Sequence, residues 1–330
     1  MPLQPEPAWL AKLPANPLPA LIAEKGTPLS YYVQRDLLSE PGDPLEELWQ
    51  HPVLAKLLRK QASDGAWPYP GMNRKDGQVF NYNLLETYRN PRLLVEIYGL
   101  DHRHPGLSLA AEYIFSCQTP EGEIRGILGN QYIPYYHAAI LELLIKAGYA
   151  QDPRLLRGMD WLLSMRQLDG GWIIPFQAVP ARMKTNDTWA GLPIPPPRER
   201  PFSHLATGMV LRAFAAHPAY AQIEAAGQAA ILLKGRFFQP DKYNDRKAPA
   251  YWLKFQFPFW WTDLLSALDS HTRLGFTLQD DQIRKGVEWF LTHQEADGLW
   301  PTRYGSGKNA AQNRLWVGLA VCRVLKRLMP

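Results

Sequence analysis

Apolar residues along this chain recur at helical spacing. Leu155, Met159, Leu162 and Leu163 stand at i, i+4, i+7 and i+8, the spacing that turns one face of an α-helix toward a core. Alternation of period two never persists between the turn signals, so strands are not expected and the fold class is all-α. Two kinds of helix take turns. Amphipathic segments such as "RGMDWLLSMRQ", "KGVEWFLTHQ" and "LAAEYIFSCQ" run into a polar stop. After a loop come segments apolar on most faces: "YYHAAILELLIKAG" at 135–148, "HLATGMVLRAFAA" at 204–216, "FWWTDLLSAL" at 259–268 and "RLWVGLAVCRVL" at 314–325. A helix apolar nearly all round must be buried, which predicts an outer ring of amphipathic helices around an inner ring of apolar ones.

The stops share one composition: "QASDGAW" from Gln61, "QTPEGEI" from Gln118, "QLDGGW" from Gln167 and "QEADGLW" from Gln294. An acid and a glycine supply the polar cap and the left-handed backbone that end a helix. A turn alone does not need a tryptophan, so Trp67, Trp172 and Trp300 are expected in equivalent buried surroundings. The glutamines are 57, 49 and 127 residues apart, and the last gap leaves room for a degenerate fifth copy at 229–243. A period of roughly 50 to 65 residues suits a helix pair with an embellished loop. An open solenoid needs polar-faced end repeats, whereas the last helix here is among the most apolar. Closure into an α/α toroid of five to six helix pairs follows, with 28–38 as an extra N-terminal helix. On this reading residues 1–27 are a proline-rich arm, and 28–330 form one domain with a proline-rich insertion at 173–202.

Composition changes this picture little. The chain has 330 residues, 46% hydrophobic and 20% charged, enough for a large core. Its net charge of +5 comes from scattered bases without the dense stripe that marks a nucleic-acid surface, so no nucleic-acid partner is expected. Cys117 and Cys322 are too few and too far apart for a disulfide framework or a cysteine-rich metal site. The start lacks a signal-like apolar core and no later run approaches about 20 apolar residues. A cytoplasmic protein without a transmembrane segment is expected, with peripheral membrane contact left open.

The stretch "RGMDWLLSMRQLDGGW" resembles the QW repeat of squalene and hopene cyclases, apart from a one-residue contraction after the glutamine. The resemblance is to the terpenoid-cyclase and protein-prenyltransferase toroid superfamily and covers about residues 45 to 328. It implies a ligand cavity at the ring centre, lined near the starts of the inner helices. Residue by residue it points to Asn81, Tyr82, Tyr132, Tyr136 and His137, then to His204, Trp260, Trp261 and Asp263, and finally to Arg314 and Trp316. Aromatic faces can stabilise a carbocation or line an apolar pocket; the same tryptophans also serve as core packing, and His137 and His204 as hydrogen-bonded core histidines.

The chain departs from those families where their chemistry resides. It has no Asp-x-Asp-Asp acid motif and no Asp-Asp-x-x-Asp box. Its only adjacent aspartates, Asp280 and Asp281, begin an outer helix, where acids complement the helix dipole. Segments resembling the zinc-binding ones of prenyltransferases offer neither cysteine nor histidine, so no metal and no cofactor is expected. The insertion at 173–202 is long for a loop inside a domain. Trp189 gives it an anchor and Asp187 a charge, which suits a lid over the ring mouth or a packed linker. The leading expectation is a toroid holding an apolar, isoprenoid-like or polycyclic ligand, with cyclase- or isomerase-type chemistry from Asp187, Asp263 or His204 as an option. A non-catalytic partner-binding scaffold is the alternative. A carbohydrate-active α/α barrel comes third, because inner-ring carboxylates are few: Glu86, Glu142 and Asp263.

Overall fold

The computed structural model describes residues 7–23, 25–40, 44–71, 79–180, 186–243 and 245–330, with only the backbone at 186 and 187. Among them are helices but no strand beyond two isolated bridges. In chain order the helices are α1 (Leu18–Leu21), α2 (Pro28–Val33), α3 (Pro52–Leu58), α4 (Tyr82–Tyr98), α5 (Pro105–Ser116), α6 (Pro134–Leu144) and α7 (Pro153–Ser164). They continue with α8 (Pro175–Ala178), α9 (His204–Ala216), α10 (Glu224–Lys234), α11 (Leu264–Arg273), α12 (Asp281–Thr292) and α13 (Gly307–Leu328).

The helices α2, α4, α6, α9, α11 and α13 each pack on the next, and α13 packs back on α2. That last contact closes the ring. Outside it, α3 and α5 lie on α4, α7 on α6, α10 on α9 and α11, α12 on α11, and α1 on α13 and α2. The fold is an α/α toroid. Every residue of α6 is buried, as is every residue of α9 from His204 to Phe214, whereas α7 buries a stripe with Leu155, Met159 and Leu162. The N-terminal arm is part of the wall, since α1 lies within it.

Two inner-helix boundaries differ from the pattern. Phe259 to Thr262 precede α11 instead of starting it, because the Asp263 side chain caps the helix by accepting the Ser266 N–H. The last helix begins at Gly307, seven residues before the apolar run at Arg314.

The repeated stop is one structure. The indole N–H of Trp67 donates to Leu57 O, that of Trp172 to Leu162 O and that of Trp300 to Phe290 O. The three side chains are 2%, 0% and 0% exposed. The amide of Gln61 bridges Gly65 O in its own turn and Gly106 O at the start of α5, and Gln118 bridges Gly122 O and Arg154 O at the start of α7. Gln294 bridges Gly298 O and Ala15 O, which ties the last turn to the N-terminal arm. The close approach requires glycine: a Cβ on Gly65, where φ is +90°, would lie 2.1 Å from Leu109 O, and one on Gly298, at φ +82°, 2.5 Å from Asn16 O. The contracted copy differs as its length demands, for Gln167 reaches Pro197 O and Arg200 O in the insertion. In the degenerate copy the Gln239 side-chain amide donates to Gly235 O in its own turn, and Trp252 supplies the buried indole, donating to Gln239 O.

Trp172→Ala removes a fully buried indole together with its hydrogen bond. It is expected to destabilise the protein by about 3 to 5 kcal/mol, read from denaturant unfolding; a loss below about 1 kcal/mol would contradict this packing.

Candidate functional site

Most of the residues singled out by sequence fall into three separate groups. In the first, Asn81 caps α4 by accepting the Leu84 N–H at 2.9 Å, and Tyr113 OH donates to the same oxygen at 3.2 Å. Tyr82 stacks on Tyr69 and Phe80 with centroids 5.0 and 5.7 Å apart. Trp189 lies 4.1 Å from Phe176 and 5.5 Å from Phe80. Its segment is fastened to the preceding loop: Asn130 N–H donates to Trp189 O, and Ile194 N–H to Gln131 Oε1. The neighbouring Asp187 falls in the short turn Asn186–Trp189, and its side chain lies outside the described residues. The described part of the insertion is thus tied to the wall by backbone bonds.

The second group surrounds Trp260. Tyr136, Trp260 and Trp261 come together with centroids 5.9 to 6.3 Å apart, and Tyr88 lies 5.3 Å from Trp260. This is a ring-centre cluster of the expected residues, and one face of each tryptophan is occupied by a guanidinium. Arg92 sits 4.3 Å from the Trp260 centroid and Arg246 4.3 Å from that of Trp261. The backbone is held there too: Arg92 of α4 donates to Phe259 O at 3.1 Å, and Arg212 of α9 to Trp260 O at 3.2 Å. The segment Phe259–Trp261 therefore spans the ring interior between helices that are not neighbours. Arg212 is matched by Glu142 at 2.8 Å, which also binds Lys146 at 2.8 Å. Burial alone would raise the Glu142 pKa, but Arg212 and Lys146 hold it below the usual value. Arg92, Arg212 and Lys146 escaped the sequence reading. Their signal was present, since a charge inside a helix apolar on every face, as in "HLATGMVLRAFAA", must find a partner.

The third group is Trp316 of α13, stacked on Phe257 at 5.8 Å and edge-on to Tyr32 at 5.9 Å. Beside it lies a cavity of about 950 Å³ between α2, α3, α4, α13 and the loop before α11. Leu29, Leu93, Ile97, Phe257 and Trp316 form its walls, and Asn309, Gln312 and Asn313 part of its rim. No Asp, Glu, Lys or Arg occurs among its described lining residues.

The remaining candidates are structural. His137 Nδ1 accepts the Ile124 N–H at 3.0 Å and its Nε2–H donates to Gly158 O at 3.0 Å. It takes the place of Thr87 and Thr207, whose hydroxyls accept the N–H of Trp67 and Trp172. Burial pushes its pKa down to about 4. His204 stacks on Trp252 at 4.6 Å, and burial lowers it to about 4 in spite of Asp241 at 3.8 Å, so the ring is neutral and the contact is no ion pair. Tyr132 OH donates to Glu121 at 2.9 Å, and Arg314 pairs with Asp297 and Glu295 at 2.5 Å. Among the described residues no three His, Cys, Asp or Glu side chains are grouped to hold a metal ion, and no helix is long and apolar enough to cross a membrane.

Asp263 is a candidate acid whose proton affinity is raised. Burial raises its pKa to about 7 against the Ser266 hydrogen bonds and Arg212. The crevice it shares with Trp261, Arg246, Gln256 and Tyr304 measures about 10 Å³, room for about one water molecule. Gln256 and Tyr304 also line the large cavity.

No protein-family profile matches the chain, and no curated protein matches it in sequence. Solved structures do resemble it. A protein from Actinoplanes is 16% identical, with 86% of this chain and 87% of that one covered, at a TM-score of 0.43. Type II terpene cyclase MstE from Scytonema is similar at 14% identity, 86% and 97% coverage and a TM-score of 0.31. A variant of that enzyme in complex with geranylgeranyl dihydroxybenzoate is similar at 15% identity, the same coverage and a TM-score of 0.32. The toroid is established by the helix contacts themselves.

An acid with a raised folded pKa binds more protons folded than unfolded between its two values, so its contribution to stability falls as pH rises through that window. For Asp263 the window runs from 3.8 to about 7. Asparagine caps a helix as well as aspartate and does not titrate. Measured by urea unfolding, Asp263→Asn is expected to gain stability relative to the wild type as pH rises from about 4 to about 7; parallel pH curves would refute the raised pKa.

Proposed function

We propose that this toroid binds an uncharged, apolar small molecule of isoprenoid-like or polycyclic size in the cavity between α2, α3, α4 and α13. One observation carries the reading: a space of about 950 Å³ with aliphatic and aromatic walls and no charged side chain among its described lining residues. Its size and its few polar rim groups match small-molecule pockets in general. The cavity opens between the N-terminal ends of α2 and α13 and the flank of α4 that carries Leu93 and Ile97. Binding is favoured over carbocation chemistry. The tryptophan faces at the ring centre are engaged by Arg92 and Arg246, and Asp263 is not among the lining residues of the cavity.

Leu93 and Ile97 lie one turn apart on α4, half-buried and facing the cavity. Leu93→Trp is expected to occupy part of that space and weaken binding of an apolar fluorescent probe such as Nile red at least about tenfold, a loss of about 1.4 kcal/mol. The melting temperature should change little, because the added bulk enters open space. Organic extraction of the purified wild type followed by mass spectrometry should recover an apolar compound that the variant lacks. A wild type that binds no probe and yields no extractable compound would favour the scaffold reading.

A further inference from the structure

A second cavity, of about 700 Å³, opens where the inner helices end, among the C-terminal turns of α2, α4, α11 and α13 and the turn after α6. Six cations line it: Arg35, Lys146, Arg273, Arg323, Lys326 and Arg327. Lys146 is matched by Glu96 at 2.5 Å. The others share their partners. Asp36 is held by both Arg35 and Arg323, each at 2.5 Å, and Asp269 by Arg273 at 2.8 Å and Arg327 at 2.5 Å. Lys326 donates to Asp36 O, Leu37 O and Ser39 Oγ and pairs with no carboxylate among the described residues. Each shared carboxylate leaves one positive charge unmatched and Lys326 leaves a third; the further lining carboxylate, Asp101, shares Arg103 with Glu46, which returns one negative charge and leaves a surplus of two.

Cations near helix C-termini are ordinary partners of the helix dipole, but that effect does not call for arginines crowded in pairs around single acids. Arg327 illustrates the strain. Burial first, and then the like charges of Arg273 and Arg323, pull its proton affinity below the usual guanidinium value despite Asp269. The Nη1 groups of Arg273, Arg323 and Arg327 have no protein acceptor among the described residues, so donors remain for a ligand. Leu45, Val95 and Leu100 form an apolar wall, and Tyr32 lies beneath Arg35 and Arg323 at 4.6 and 5.1 Å.

We infer that this bowl is a binding site for a multiply charged oxyanion of the phosphate class, carried by a small molecule. A recessed cavity with surplus arginines and free guanidinium donors suits a compact polyanion, since guanidinium groups match phosphate oxygens in geometry and charge. The site is separate from the apolar cavity and does not depend on the function proposed for it.

Inorganic diphosphate is the probe, titrated into the whole chain by calorimetry, with thermal melts in sodium chloride of equal ionic strength as the control. Saturable binding at one site per chain and a rise in melting temperature beyond that given by chloride are expected. Arg273→Gln and Arg327→Gln should each weaken binding roughly tenfold. Each leaves Asp269 with its other arginine, so far-UV circular dichroism should not change. Arg35→Gln, which leaves Asp36 with Arg323, provides an independent test should either of the first two fail to fold. No binding at millimolar diphosphate, a stabilisation that chloride reproduces, or undiminished affinity in the folded variants would overturn the site. Equal affinity for citrate would overturn its assignment to phosphate.

Discussion

The structure depends on how each outer helix ends. Here one side-chain amide donates to two carbonyls at once, one in its own turn and one at the start of the next outer helix, as Gln61 and Gln118 do. The indole of the same turn reaches back ten residues to a carbonyl of the helix it follows. The turns of Gln61, Gln118 and Gln294 thereby tie one unit to the next, and at Gly65, Gly122 and Gly298 glycine permits the contact because no Cβ would fit against the neighbouring backbone. Applied around the circuit, this constraint brings the last turn to the first residues of the chain, where Gln294 bonds Ala15. The ring closes, and no end repeat is left to be covered.

Closure decides what happens at the centre. Inner helices buried on every side carry a few charges, and each must be paired or hydrogen-bonded. Arg92 and Arg212 meet this need by drawing the carbonyls of Phe259 and Trp260 into the interior, and Glu142 and Lys146 complete the chain of partners. The space that a ligand would occupy on the axis is thereby crossed by the protein itself at this level. Open volume lies elsewhere: an uncharged cavity between the N-terminal ends of α2 and α13 and the flank of α4, and a charged bowl where the inner helices end. The two differ in chemistry because their walls come from different parts of the helices. The first draws on apolar flanks, the second on C-terminal turns where lysine and arginine are favoured.

The candidate residues show the limit of position as a guide. Tyr136, Trp260 and Trp261 do converge, because the starts of inner helices meet around an axis in any such ring. His137 and His204 also stand near the starts of inner helices, and both are engaged by the scaffold. His137 accepts the N–H that a threonine accepts in other repeats, and His204 packs neutral against Trp252. Which aromatic face is free and which lies under a guanidinium depends on side chains that arrive from distant helices, such as Arg92 over Trp260.

What the sequence determined by itself was the local and the repeated. The stripe of α7, the wholly apolar run of α9 and the recurring Gln-to-Trp stops are encoded within windows of a dozen residues, because helical period, capping and glycine conformation act over one or two turns. Repetition carried that local information to the level of the fold, since five copies of one turn imply five copies of one neighbourhood. Tertiary structure decided what no window contains. It made α1 part of the wall, began the helix within the apolar run of residues 259–268 only after an Asp263 cap, sent the Gln167 amide to the insertion, and set Arg212 against Glu142 across 70 residues. Cavities belong to this second kind. Their volume is what remains after side chains from separate repeats have packed, and that remainder depends on the three-dimensional closure of the ring rather than on any one segment of the chain.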